Sequence, residues 1–119
     1  MENILAWSLF VLGIGHIIYG LIKFRDPVSD AVSEGFVNKF KVPEIRRTAF
    51  WFLMYGSLLV FAGHASVHAV SNEDFSLLRL VGYYLLTSSI VGFFAIPKSP
   101  FLVAVVISSL LIAAGYGLL

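Results

Sequence analysis

Apolar residues are concentrated in four long runs, at residues 4–22, 48–67, 75–96 and 101–119. A helix needs ~20 residues, at ~1.5 Å rise each, to cross the ~30 Å hydrocarbon core of a bilayer, so each run predicts a membrane span. Because that core holds no water, each span has to pair its backbone N–H and C=O groups internally, as a helix does. The pattern predicts an all-α integral membrane protein, a four-helix transmembrane bundle formed as a single domain by residues 1–119.

The connection between the first two runs carries a shorter pattern of its own. Pro27, a residue type tolerated in the first turn of a helix, precedes a set of apolar residues at helical spacing, namely Val28, Ala31, Val32, Gly35 and Phe36. This spacing predicts a short amphipathic helix in the membrane interface, with Lys39 and Lys41 after it. Two roles stay open for the helix: it covers the end of the bundle, or it closes a cavity as a lid.

The overall composition agrees with a membrane protein. Hydrophobic residues make up 59% of the chain and charged residues 13%, with a mean hydropathy of +0.92; a soluble domain carries about 25% charged residues. The chain has no cysteine, which excludes disulfides, thiol chemistry and thiolate metal sites. The formal net charge of +1 gives no reason to expect a nucleic-acid partner.

Basic residues are distributed unevenly over the connections. Six of the eight Lys and Arg residues lie at or between the ends of the first two spans: Lys23, Arg25, Lys39, Lys41, Arg46 and Arg47. Lys98 lies in a tight hairpin that Pro97 and Pro100 predict between the last two spans, whereas the second connection holds Glu73 and Asp74. Because Lys and Arg collect in cytoplasmic loops, we expect the first and third connections inside and both termini outside.

Since the N-terminal Met-Glu-Asn lacks a basic region, we expect the first helix to be retained rather than removed as a signal peptide.

His16 is the reactive side chain that lies deepest in a predicted span. It is about six residues, or ~9 Å, from the cytoplasmic end of that span, and a polar group at such depth usually faces a partner inside the bundle. The other spans place Tyr55, Ser88 and Ser108 at a similar depth, and Trp51, a residue type that favours the headgroup level, lies one turn from Tyr55. Two interpretations stay open. These five residues form a ligand or proton site, or His16 bonds to a neighbouring helix while the serines bond to carbonyls of their own helices.

His64 and His68 are four residues apart and therefore share one face of the second span. Two imidazoles at this spacing can hold a divalent ion, and Glu73 or Asp74 could add a ligand. No acidic residue accompanies the pair on the helix, so we expect polar contacts at the interface, without a metal or other cofactor.

Several of these features occur together in a known family. The chain has, in one order, Gly13-x-Gly15-His16, the Pro27…Gly35 connection, the run Arg47-Thr48-Ala49-Phe50-Trp51-Phe52-Leu53 with Gly56 after it, and the Pro97…Pro100 hairpin. In this arrangement it resembles the small bacterial four-helix membrane family called domain of unknown function 6463 (DUF6463). The resemblance implies an integral membrane fold in the bacterial cytoplasmic (inner) membrane and assigns no activity, and therefore no catalytic residue. Length and helix number are also similar to small multidrug-resistance transporters, which carry a carboxylate in helix one where this chain has His16.

From these observations we expect a multi-pass inner-membrane protein that is not an enzyme and that binds a lipid-like or other apolar ligand, such as a quinone, in the bundle. The expected partners are membrane lipid, a hydrophobic small molecule and a second copy of the chain. Two alternatives stay open: a small dimeric transporter or proton-linked carrier in which His16 titrates, and, as the weaker one, a lipid-modifying membrane enzyme.

The charge distribution generates a test of topology. Single cysteines introduced at Ser33 and Asn72 should react with a membrane-impermeant maleimide from opposite sides, Asn72 from outside, because the basic first connection is retained in the cytoplasm. Reaction of both positions from the same side would contradict the arrangement.

Overall fold

The computed structural model describes residues 2–95 and 101–118, and in these ranges the chain forms helices and no strand. The helices, in chain order, are α1 (Glu2–Lys23), α2 (Arg25–Ser33), α3 (Glu44–Ser71), α4 (Phe75–Ala95) and α5 (Phe101–Gly115). The all-α prediction is confirmed. The hairpin predicted at Pro97 and Pro100 lies outside the described residues.

Three of these helices are long and apolar enough to cross a membrane: α1, α3 and α4. They contain the first two predicted spans and nearly all of the third. The fourth predicted span, 101–119, contains α5, which has 15 residues and is therefore ~22 Å long, less than the ~30 Å of a hydrocarbon core. A four-helix transmembrane bundle thus stays a prediction, while three candidate spans are observed in the described part of the chain.

The short helix predicted in the first connection is present as α2, but its predicted end was wrong. The helix stops at Ser33, and the stripe predicted through Phe36 runs past its end. Gly35 takes a left-handed backbone conformation with φ of +112°, and Phe36 follows at +68°. The Gly35 N–H donates to the Val32 carbonyl at 3.1 Å and the Phe36 N–H to the Ala31 carbonyl at 2.9 Å. This is the Schellman arrangement, which favours glycine and closes a helix.

The chain divides into two compact units, which are described separately below. The α1–α3 unit comprises Leu12–Val60, and the α4–α5 unit comprises Met1–Val11 and Phe61–Leu119. Helices α1 and α3 contribute residues to both units, whereas α2 belongs to the first and α4 and α5 to the second.

Glycines allow close packing in the α1–α3 unit. A Cβ added to Gly13 of α1 would lie 2.5 Å from the Val60 backbone nitrogen of α3, a separation that no real Cβ tolerates. A Cβ at Gly56 would lie 2.6 Å from the Ile17 side chain, and one at Gly20 would lie 2.8 Å from Leu53. The contacts run in reverse order along the two helices, so these parts of α1 and α3 are antiparallel. Small residues permit this approach where lipid supplies no hydrophobic force between helices.

In the α4–α5 unit the two helices pack along one narrow stripe. The buried residues of α4 are spaced by four, three and four positions: Leu78, Gly82, Leu85 and Ser89. The buried residues of α5 include Ala104, Ser108 and Leu111, and a Cβ at Gly82 would lie 2.7 Å from Ile112. Alternating steps of three and four residues keep one face towards a partner helix. In the same unit Gly63 of α3 lies against the backbone of Phe10 of α1.

The contact at Gly13 generates a prediction with a matched control. Gly13→Ala places a methyl group against the α3 backbone, whereas the same methyl at Gly15 meets nothing within 4 Å. Both changes gain the same helix propensity, ~1 kcal/mol, so the difference between them isolates the contact. Since overpacking costs ~1–3 kcal/mol, we expect Gly13→Ala to have a lower free energy of unfolding than Gly15→Ala by that amount. Titration with SDS in mixed micelles, followed by far-UV circular dichroism, measures both values. Equal stabilities would contradict close approach at Gly13.

Candidate functional site

His16 bonds to the main chain of the neighbouring helix within the α1–α3 unit. Its Nε2 lies 3.0 Å from the carbonyl oxygen of Phe52 on α3. A carbonyl can only accept a hydrogen bond, so Nε2 carries the proton and Nδ1 is the acceptor atom of the neutral ring. The imidazole also stacks on the Phe52 ring, with centroids 3.9 Å apart and planes 14° from parallel, and meets the Tyr55 ring edge-on at 5.6 Å. His16 is therefore enclosed on this side by aromatic rings and by a backbone acceptor.

The structure brings together only some of the residues predicted to form one site. His16 and Tyr55 are neighbours in the α1–α3 unit. Trp51 belongs to the same unit, but its side chain is 64% exposed and its ring packs edge-on against Phe50 at 5.3 Å. Exposure of an indole on a candidate span is what an aromatic belt at the headgroup level requires. The sequence analysis did not predict the contact between His16 and Phe52. The acceptor is the main-chain carbonyl of Phe52, and every residue type has such a carbonyl, so the sequence does not indicate which one is used.

The two predicted serines belong to the α4–α5 unit and bond to their own helices. The Ser88 hydroxyl donates to the Leu85 carbonyl at 3.0 Å, and the buried Ser108 hydroxyl donates to the Ala104 carbonyl at 2.7 Å. This is the local bonding that allows serine in an apolar helix. Ser88 and Ser108 thus use their hydroxyl hydrogens in bonds to their own helices, as the structural interpretation of the sequence expects. Each hydroxyl oxygen keeps the capacity to accept a further hydrogen bond.

An open groove on α4 carries polar side chains. Its volume is about 560 Å³, and its lining residues are Tyr83, Tyr84, Thr87, Ser88 and Val91. Four of the five carry a hydroxyl group, and the groove is open to its surroundings rather than enclosed. Of the five, the sequence analysis had named Ser88 alone. The signal that could have found the others is helical spacing, since Tyr84, Ser88 and Val91 share one face.

Tyr83, one of the lining residues of this groove, is held by contacts between α4 and α5. The Tyr83 and Tyr116 hydroxyls lie 2.8 Å apart. The Arg79 guanidinium donates to the Gly115 carbonyl at 2.6 Å and lies over the Tyr116 ring, 4.8 Å from its centroid. A cation at a helix C-terminus satisfies the last carbonyl groups and interacts favourably with the helix dipole. Arg79 therefore holds the end of α5, and through Tyr116 it positions Tyr83.

The histidine pair on α3 contacts neighbours other than acidic residues. The His64 ring meets Phe10 edge-on at 6.4 Å, and the Asn72 amide lies 3.5 Å from the His68 ring. In the part of the chain that the structure describes, no group of three or more His, Cys, Asp or Glu side chains is arranged to hold a metal ion. The expectation of a protein without metal stays a prediction.

The fold and the candidate sites define a helical protein with three candidate membrane spans, aromatic packing around one histidine and an open groove that carries hydroxyl groups. The chain belongs to the family of unknown function DUF6463, whose profile matches residues 1–116. The resemblance seen in the sequence is thus confirmed over nearly the whole chain. Comparisons with curated proteins and with solved structures found no match.

Proposed function

We propose that this protein is a multi-pass protein of the bacterial inner membrane that binds an apolar molecule with a hydrogen-bonding head, of the lipid or quinone class, in the α4 groove, and that it catalyses no reaction. The observation that carries the proposal is the combination, in one cavity of about 560 Å³, of four hydroxyl side chains with the apolar Val91. Sites for small molecules typically combine apolar walls with a few polar groups that set the orientation of the ligand.

The hydrogen bonds already made in the groove indicate which ligand chemistry fits. Thr87 donates to the Tyr83 carbonyl at 2.9 Å and Ser88 to the Leu85 carbonyl at 3.0 Å, so both oxygens remain able to accept a hydrogen. A ligand hydroxyl, as in a quinol or a lipid glycerol, would donate to them. Tyrosine hydroxyls can donate as well as accept, so Tyr84 would suit a carbonyl oxygen of the same ligand. In a medium without water, a head of this kind gains from each such partner.

The surroundings of His16 favour a structural role for that residue over a catalytic one. A general base has to lie within hydrogen-bond reach of the proton that it removes. The His16 Nε2 N–H instead donates to the Phe52 carbonyl, and one face of the ring is covered by the Phe52 ring, so Nδ1 alone could act as a base and the orientation of the ring is fixed by packing. The hydroxyls of Ser66, Ser88 and Ser108 donate to carbonyls of their own helices rather than to an imidazole. Binding without catalysis therefore accounts for the observed contacts without requiring a catalytic group.

Native mass spectrometry of the purified protein tests the proposal. The wild-type protein, released from mild detergent, should retain a small apolar molecule. The double variant Thr87→Val/Ser88→Ala removes both acceptor oxygens while leaving the groove open. Hydrogen bonds in membranes contribute ~0.6 kcal/mol each on average, so the loss of two such bonds, ~1.2 kcal/mol together, should weaken the affinity about 8-fold and lower the retained fraction accordingly.

Ser57→Ala is the matched control, because Ser57 is an exposed serine of α3 whose hydroxyl lies 3.5 Å from the Leu53 carbonyl, outside the groove lining. It should retain the molecule as the wild type does. Wild-type protein without any bound molecule, or equal retention by the double variant, would contradict binding in the groove. The same spectra count subunits, and a dimer without a ligand would favour the carrier alternative instead.

A further inference from the structure

The segment between α2 and α3, residues 34–43, here called the basic loop, is held in one shape by Arg46. The Arg46 guanidinium makes a two-pronged ion pair with the Glu34 carboxylate, one bond of which is 3.2 Å long, and it also donates to the Lys39 carbonyl at 3.3 Å. On the other side the Phe40 ring joins the Phe36 and Phe50 rings, at centroid distances of 5.2 and 5.7 Å. The loop is thus fixed at Glu34 by the ion pair and at Phe40 by ring packing.

This loop exposes large apolar side chains. Phe36 is 56% exposed, Val37 79% and Val42 74%. Phe36 reaches its position because Gly35 and Phe36 both take left-handed backbone conformations, at φ of +112° and +68°, which turn the chain sharply after α2. Three apolar side chains exposed on one short loop would be unfavourable in water, whereas at the boundary between headgroups and acyl chains they gain by burial.

Two lysines accompany the exposed apolar side chains of the loop. Lys39 and Lys41 belong to the loop itself, while Glu44 and Arg47, of opposite charge, follow it in the first turn of α3. Glu34, the acidic residue of the loop, is neutralised by Arg46, whose hydrogen bonds hold the pKa of that carboxyl below its ordinary value. In the described ranges, 2–95 and 101–118, no carboxylate lies within ion-pair distance of Lys39, Lys41 or Arg47, and Lys39 acts on the Glu34 carboxylate only through longer-range attraction. The positive charge of the loop is therefore available to an external anion.

We propose that the basic loop binds anionic phospholipids of the adjoining leaflet, with Phe36, Val37 and Val42 among the upper acyl-chain carbons and Lys39 and Lys41 on the headgroup phosphates. An apolar tip flanked by lysines complements a surface on which phosphate lies directly above hydrocarbon. Lysine suits this position because its stem can lie along apolar surface while its ammonium group reaches the phosphate. The site is separate from the α4 groove and does not depend on ligand binding there, but it rests on the proposed placement of the chain in a membrane.

The test compares binding of one anionic and one zwitterionic lipid to the full chain. Dioleoyl-phosphatidylglycerol or dioleoyl-phosphatidylcholine is titrated into the purified protein in detergent, and bound lipid is counted by native mass spectrometry. The wild type should bind phosphatidylglycerol more tightly. The charge of one lysine near a phosphate is expected to contribute about 5-fold in affinity. The double variant Lys39→Gln/Lys41→Gln should therefore lose about 25-fold for phosphatidylglycerol and little for phosphatidylcholine.

Three controls make the result specific. Arg25→Gln removes one positive charge outside the loop, where Arg25 lies 4.0 Å from Asp26, and should leave both affinities within twofold of the wild type. Val37→Ser should weaken both lipids, because it removes apolar surface and no charge. Thr87→Val/Ser88→Ala should keep the preference for phosphatidylglycerol, which separates this site from the groove.

Three outcomes would overturn the proposal. One is equal affinity of the wild-type protein for both lipids. A second is that Arg25→Gln weakens binding of phosphatidylglycerol, per charge removed, as much as Lys39→Gln/Lys41→Gln does, which would indicate a general charge effect. Inorganic phosphate at 10 mM serves as a competitor without acyl chains and should leave lipid binding unchanged; full displacement by it would show that the loop recognises phosphate alone.

Discussion

Close approach of α1 to α3 at glycine residues is the constraint on which the α1–α3 unit depends. With no side chain at Gly13, the α1 surface meets the Val60 and Leu59 backbone directly, and Gly56 and Gly20 leave room for Ile17 and Leu53 in the same way. In a bilayer such contact replaces the hydrophobic force that would hold two helices together in water. Because the two helices are this close, an imidazole one turn after Gly13 reaches a main-chain carbonyl of α3, which a side chain between the helices would prevent.

Polar groups are accommodated in three ways in the two units, and these ways lead to different functional expectations. His16 and Ser108 each make a hydrogen bond to a backbone carbonyl, His16 across to the neighbouring helix and Ser108 within its own. Thr87 and Ser88 make similar bonds, but they line an open groove together with tyrosines, and their oxygens can still accept hydrogens. The basic loop shows a third case, in which Arg46 neutralises Glu34 and leaves the lysines for an external anion. Ligand chemistry is therefore expected at the groove and the loop rather than at the histidine.

The sequence predicted the features that depend on periodicity and charge. The all-helical fold, the three observed candidate spans and the existence of α2 all follow from apolar spacing. The end of α2 was missed, because spacing alone continued the apolar stripe through Gly35, where the left-handed backbone closes the helix. The pairing of His16 and Tyr55 could be predicted from depth, whereas the Phe52 carbonyl could not, since any residue type offers the same acceptor. The groove required the positions of α4 side chains in space, of which the sequence had indicated Ser88 alone.

The central claim is that glycine contacts place His16 against the main chain of α3. It is tested most directly by the distance between the His16 Nε2 and the Phe52 carbonyl carbon. The protein is labelled with ¹⁵N in the histidine rings and ¹³C in the phenylalanine carbonyls, and dipolar recoupling in lipid bilayers measures the separation by solid-state NMR. With Nε2 3.0 Å from the Phe52 oxygen and a C=O bond of about 1.23 Å, the account predicts a nitrogen–carbon distance of about 4 Å, in a signal that disappears in His16→Phe. Absence of any His16-dependent contact within about 6 Å would contradict it.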